Sequence, residues 1–376
     1  MYHLLPYLRY EDGRPRTTRN PKNGEPNLEK GINEGLEAER NTIKYVSRKW
    51  ETAMERTERR ILALTLPSVV NFARNHFRCA SLDAVDMESD GNDEGRSSHF
   101  ERRLSVGEIM SPYSDVMQVV SGLTLNYFKD TGWYNVNLSM AGEWRWGQGQ
   151  GCDFVLKSCF AFMKQQRWSQ KTTSTWCDPS DYSNQGIKCL SYTNAYGSCN
   201  FANLTSALKP RYTHFDAPLS NVGGAEYLAD HCPFFKTFDS VDHLHKNSHC
   251  GDTNNRRYEE NNGIKYKQHY GKKSRCINYG IHYYSGVPKE IPVAGCYRVR
   301  CTLRFELKIF FKGVWYTCPK SGGRIVTMKD NTSEDWIECP SYRDICSEED
   351  SDILKLQRNQ SLQTVDSNRS IPSSDS

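Results

Sequence analysis

Apolar positions recur with helical spacing in three places along this 376-residue chain. From about Asn41 to Phe77 the pattern predicts mainly helix. Pro67 stands at a first-turn position, and Val69, Val70, Ala73 and Phe77 then fall on one face. The stretch SDVMQVVSGLTLNYFKDTGWY predicts a second helix. Ser114 or Asp115 would cap it, Val116, Val119, Val120, Leu123 and Tyr127 form its stripe, and Gly132 would end it. CDFVLKSCFAFMKQQR predicts a short third helix. Beyond it the pattern changes to turns and strand-like runs, of which YRVRCTLRFELKIFFKGVWYTC is rich in Tyr, Val and Phe and reads as a hairpin.

Polar, glycine-broken segments separate these elements. Residues 11–35 predict a long surface loop, and DMESDGNDEGRSS (86–98) predicts another. Residues 347–376 contain no aromatic residue and much Ser and Asp, which predicts disorder. No run reaches the roughly 18 apolar residues of a membrane span, and MYHLLPYLRYEDGRPR lacks the apolar core of a signal peptide.

Charge narrows the function classes. Lys and Arg number 49 against 45 Asp and Glu, interleaved throughout, for a net charge of +4. Such a balance offers no nucleic-acid groove and no membrane-binding face. Cysteine is more informative: there are 14, of which 13 lie between Cys152 and Cys346. No pair has the C-x-x-C spacing of a zinc knuckle. The close spacings are Cys152 with Cys159, Cys296 with Cys301 and Cys339 with Cys346, so a disulfide framework formed in an oxidising compartment is expected, with its connectivity open. The sequons Asn137-Leu-Ser, Asn203-Leu-Thr and Asn331-Thr-Ser agree with secretion.

The candidate chemistry lies in SSHFERRLSVGEIMSP, where His99 is followed by Met110. A catalytic zinc takes three protein ligands and keeps one position for water. In metzincins two histidines come from an H-E-x-x-H helix, whose Glu is the general base, and a third histidine and a Met-turn follow. HFRCASLDAVDMESDG, SSHFERRLSVGEIMS, TLNYFKDTGWYNVNLSMA, WGQGQGCDFVLKSC and VGGAEYLADHCPFF together resemble the leishmanolysin family of zinc peptidases, from about residue 4 to 340. The resemblance implies that His99 is the third zinc ligand and Met110 the Met-turn residue. It also implies zinc as cofactor, protein or peptide substrates, and a secreted or cell-surface, membrane-associated setting with links to adhesion. None of the 10 histidines is followed by glutamate, so no H-E-x-x-H exists in these residues and no catalytic residue is assigned. Residues 1–98 resemble the insertion that the family places between that helix and its third histidine. The expectation is a C-terminal portion of the peptidase, inactive alone, with a non-catalytic extracellular protein-binding or adhesion module as the alternative.

Other residues offer less. His245 and His249 would share a helix face near Asp242 and His243, which suits solvated surface histidines or a weak metal site. His3 has no partner. Glu101 and Glu108, which flank the motif, are expected as surface carboxylates. The fold expected is α+β and metzincin-like: a mainly helical region over 1–138, a Cys-rich, mostly antiparallel β domain over 139–346, and a disordered tail over 347–376.

Overall fold

The computed structural model describes residues 7–10, 12–26, 29–30, 36–37, 42–89, 98–115, 117–168, 175–178, 186–237, 247–258, 268–284, 289–302 and 304–346. The chain forms two compact units. The first comprises Met1–Gln185, Ser191–Thr193 and Cys199–Lys236; the second comprises Gly186–Leu190, Asn194–Ser198 and Thr237–Ser376. Segment 139–236 therefore packs largely with the first unit.

The first unit is a mixture of helix and strand. Its region up to residue 138 is not mainly helical: the expected helix before Pro67 is a β-hairpin, Ile43–Glu51 paired with Arg56–Leu64 from Ile43↔Leu64 to Glu51↔Arg56. Val46, Arg48 and Trp50 alternate inward, as a half-buried strand requires. The second strand buries Ile61, Leu62, Ala63 and Leu64 in succession. A strand covered on both faces loses its period of two and becomes hard to tell from helix. The Thr52 hydroxyl accepts the Met54 and Glu55 N–H groups and closes the turn.

Helix α1 (Pro67–Phe77) follows with Pro in its first turn, and Val69, Val70, Ala73, His76 and Phe77 are buried. The Asp130 carboxylate accepts the Ser68 and Val69 N–H groups, capping a helix that has no side-chain cap of its own. Helix α2 (Gly122–Asp130) is shorter than the stripe suggested, because Ser121 is its cap and accepts the Leu123 N–H. Val119, upstream of the cap, instead bridges to Glu108, and Val116 lies outside the described residues. Gly122 lies against the Phe72 ring, where a Cβ would sit 2.3 Å from Cε2. Helices α3 (Cys152–Leu156) and α4 (Cys159–Trp168) divide the predicted third helix at Lys157–Ser158. One large core, running from Leu8 through Phe100, Trp146 and Phe154 to Phe234, joins these elements.

The second unit is built on a six-stranded antiparallel sheet. Its strands are ordered Val314–Thr317, Leu307–Phe311, Lys289–Cys301, Ser274–Tyr283, Ser333–Cys339 and Gly323–Lys329. Leu307, Ile309 and Phe311 alternate inward against Ile277, Tyr279, Tyr297 and Ile337. The chain is thus mostly antiparallel β with few helices. The fourteen cysteines form seven disulfides with none free. Cys79–Cys152, Cys159–Cys232 and Cys177–Cys199 staple the first unit. Cys189–Cys276, Cys250–Cys296, Cys301–Cys346 and Cys318–Cys339 staple the second. None of the closely spaced cysteines bonds to its near neighbour. Among the described residues no helix is long and apolar enough to cross a membrane. The tail lies outside the described residues.

Candidate functional site

His99 stands where the chain returns along the edge of the hairpin sheet. The Glu88 N–H donates to the His99 carbonyl at 3.1 Å, the Glu101 N–H donates to Asp86 O at 3.1 Å, and Met87 bridges Phe100. The expected polar loop therefore begins later than residue 86: Asp86, Glu88 and Ser89 are buried beside the motif. After His99 the chain makes a short 3-10 turn, Arg102–Leu104, and reverses at Gly107, whose φ of +76° belongs to the left-handed region that glycine enters readily. It returns so that the Phe100 N–H donates to Met110 O at 3.1 Å. The residue after His99 is thus clamped to Met110 across the stem of one loop. His99 and Met110 are both half-buried, and Met110 packs against the large core.

Glu101 and Glu108 are not surface carboxylates: they are 1% and 0% exposed. Glu108 accepts from Ser121 Oγ at 2.8 Å, Thr124 Oγ1 at 2.6 Å and the Met110 N–H at 2.5 Å. It ties the loop to the first turn of α2, and its burial raises its pKa against these hydrogen bonds. Glu101 caps the 3-10 turn by accepting the Arg103 N–H. Burial, then the nearby Glu88 and Asp230 carboxylates, push its pKa well above the usual carboxylate range; Arg103 and Arg59 oppose the shift.

The two arginines after Glu101 anchor the loop. Arg102 is fully buried and forks onto Asp115 at 2.7 and 2.8 Å, with Nε donating to Glu226 at 2.7 Å and Nη1 to Ser111 at 3.0 Å. A bidentate guanidinium–carboxylate pair fixes direction as well as distance. Asp115 also accepts the Gly107 N–H at 2.7 Å, and Lys236 donates to Glu226 at 2.8 Å. Arg103 donates to Phe154 O, while Arg59 pairs with Asp230 at 2.8 Å. His214 lies behind, its Nε2 2.7 Å from Asp230 O, and burial lowers its pKa to about 4. The loop bearing His99 and Met110 is therefore set by Arg59, Arg102, Arg103, Asp115, Glu226 and Asp230. The reading from sequence missed this role for all six; it named only Asp115, and as a helix cap, a place that Ser121 takes. The only signal was the run Glu101-Arg102-Arg103, with Glu226 and Asp230 inside GGAEYLADHCP.

A profile of the leishmanolysin peptidase family matches residues 42–352. The chain belongs to that family. It is 31% identical to a leishmanolysin-like peptidase of Caenorhabditis briggsae over 92% of this chain and 55% of that protein. It is 26% identical to one of Drosophila melanogaster over 91% of this chain and 52% of that protein. Leishmanolysin of Leishmania donovani is 25% identical over 73% of this chain and 44% of its own length. The chain thus spans about half the length of the animal relatives it matches.

The residues in hand can be tested against the zinc that such a peptidase uses. Among the described residues one trio, Cys159, His214 and Cys232, brings metal-type ligand atoms within 4.8 Å of one another. Cys159 and Cys232 are bonded as a disulfide, and His214 faces Asp230 O, so the trio has no thiolate to offer. His99 belongs to no such group. The described residues do not by themselves fit a catalytic zinc, which needs three protein ligands. Elsewhere, His249 is half-buried and its pKa is lowered by burial, whereas His3, Asp242, His243 and His245 lie outside the described residues.

Proposed function

We propose that this chain supplies the third zinc ligand, His99, and the Met-turn residue, Met110, of a leishmanolysin-type zinc endopeptidase with a metzincin-like fold. Family membership and the closed loop that holds Phe100 to Met110 support the reading. Two further ligands and the general base come from residues other than these, since no histidine of the chain precedes a glutamate. Its substrates are proteins or peptides, and seven disulfides agree with work in a secreted or cell-surface setting. Membrane association by family likeness is part of the same proposal.

The same missing motif favours a second reading, a non-catalytic extracellular module that binds protein. Two measurements separate them. The chain expressed through a secretory route should hold no stoichiometric zinc and leave casein uncut; casein cleavage that His99→Ala abolishes would overturn the division of the site. In protein isolated from its native source, peptide mapping should find an H-E-x-x-H upstream of His99 together with stoichiometric zinc. Native protein with neither would refute the peptidase reading and leave the binding module.

A further inference from the structure

The sequon Asn137-Leu-Ser has a feature that the peptidase reading does not use. Asn137 is exposed and caps a short 3-10 turn, Leu138–Met140. Its Oδ1 accepts both the Ser139 N–H at 3.1 Å and the Ser139 hydroxyl at 2.7 Å. The amide oxygen is engaged while Nδ2 has no partner among the described residues. The buried Asn126 differs, committing its Nδ2 to Gly122 O at 2.7 Å.

Apolar side chains are exposed on either side of Asn137 along the chain. Trp133 and Tyr134 stand four and three residues before it, 40% and 58% exposed, with rings meeting edge to face and Phe128 against Tyr134 at 5.6 Å. Leu138 and Met140 flank it on the other side at 41% and 74%. The exposed stretch 133–140, with its aromatic pair and its two aliphatic side chains, calls for a cover. A sugar ring attached in its midst provides one, because its C–H face packs on aromatic rings while its hydroxyls remain in water.

We propose that Asn137 carries an N-linked glycan whose first sugars lie over Trp133 and Tyr134. The donor is a lipid-pyrophosphate-linked oligosaccharide, delivered by the transferase of the secretory compartment. Nδ2 forms a bond to the anomeric carbon, the bond from that carbon to the pyrophosphate oxygen breaks, lipid pyrophosphate leaves, and Nδ2 gives up one proton to a base. Nothing is oxidised or reduced. The proposal rests on the extracellular setting read from the disulfides, and secretory expression supplies that setting whatever becomes of the zinc site.

The experiment expresses the full chain through a eukaryotic secretory route and releases glycans with a glycoamidase in heavy-oxygen water. A glycosylated asparagine then becomes an aspartate bearing one heavy oxygen. Peptide mapping reads Asn137 apart from the other sequons, including Asn359-Gln-Ser and Asn368-Arg-Ser. Label at Asn137 is expected in the parent and its complete loss in Ser139→Ala, which keeps the asparagine. Secreted, disulfide-bonded protein without label at Asn137 would overturn the site. For the covering role, glycan removal from the folded protein should raise apolar-dye fluorescence, and Trp133→Ser with Tyr134→Ser should abolish the rise. Unchanged dye binding in the parent would overturn that role alone.

Discussion

The loop of His99 in the first unit and the six-stranded sheet of the second are held by different forces. The sheet is a repeated ladder: alternate side chains face one core, adjacent strands bond in register, and four disulfides tie its unit together. The loop has one bridging pair of residues on each side and owes its course to buried charge. Arg102, Arg103 and Arg59 reach from it or behind it to Asp115, Glu226 and Asp230. A ladder spreads stability over many equivalent hydrogen bonds, so the loss of any one of them costs little. A buried ion network concentrates it, since removing one partner strands the others away from water.

The sharpest way to break this contrast is Arg102→Ala. It leaves Asp115 and Glu226 buried without their guanidinium, and should cost about 3–5 kcal/mol in denaturant unfolding. The transition of the first unit should move while that of the second stays in place. A loss below about 1 kcal/mol would mean that water reaches the pair and that the loop is held otherwise. A smaller effect is expected in the second unit from replacing Cys250 and Cys296 together by Ser. That bond spans 46 residues, and its removal should cost about 2–4 kcal/mol, seen in the transition of the second unit alone. An equal shift in both transitions would contradict the assignment of the bridge to one unit.

How far each region was legible in the sequence follows from the same contrast. Leu307, Ile309 and Phe311 announce a strand because period two survives in a sheet with one buried face. Ile61–Leu64 announce nothing, since burial on both faces erases the period, and the hairpin was mistaken for helix. Cys276 and Cys296 face each other in register yet bond to Cys189 and Cys250, a pairing no spacing rule yields. Around the site, His99 and Met110 could be singled out because motif resemblance marks them. Their supports could not. Glu101 and Glu108 look like surface carboxylates until the arginine, serine and threonine partners converge from residues as far apart as Arg59 and Thr124.

The smallest effect sharpens the comparison through pH. His214 is fully buried with Nε2 on Asp230 O, and its pKa falls from 6.5 to about 4 because burial disfavours the charged ring. Between those values the unfolded chain binds a proton that the folded chain refuses. The stability from neutral His214 is therefore whole above about pH 6.5 and is lost as pH falls toward about 4. Going from pH 7.5 to 5.5 should remove about 1.4 kcal/mol by this route. His214→Gln retains an amide to donate to Asp230 O but has no ring to titrate. Its unfolding free energy for the first unit, subtracted from that of the parent at each pH, should fall by that amount over the same interval. A difference that stays level would mean that the imidazole is hydrated or already charged in the fold. The buried network would then be wetter, and more like a surface, than the ion pairs around Arg102 require.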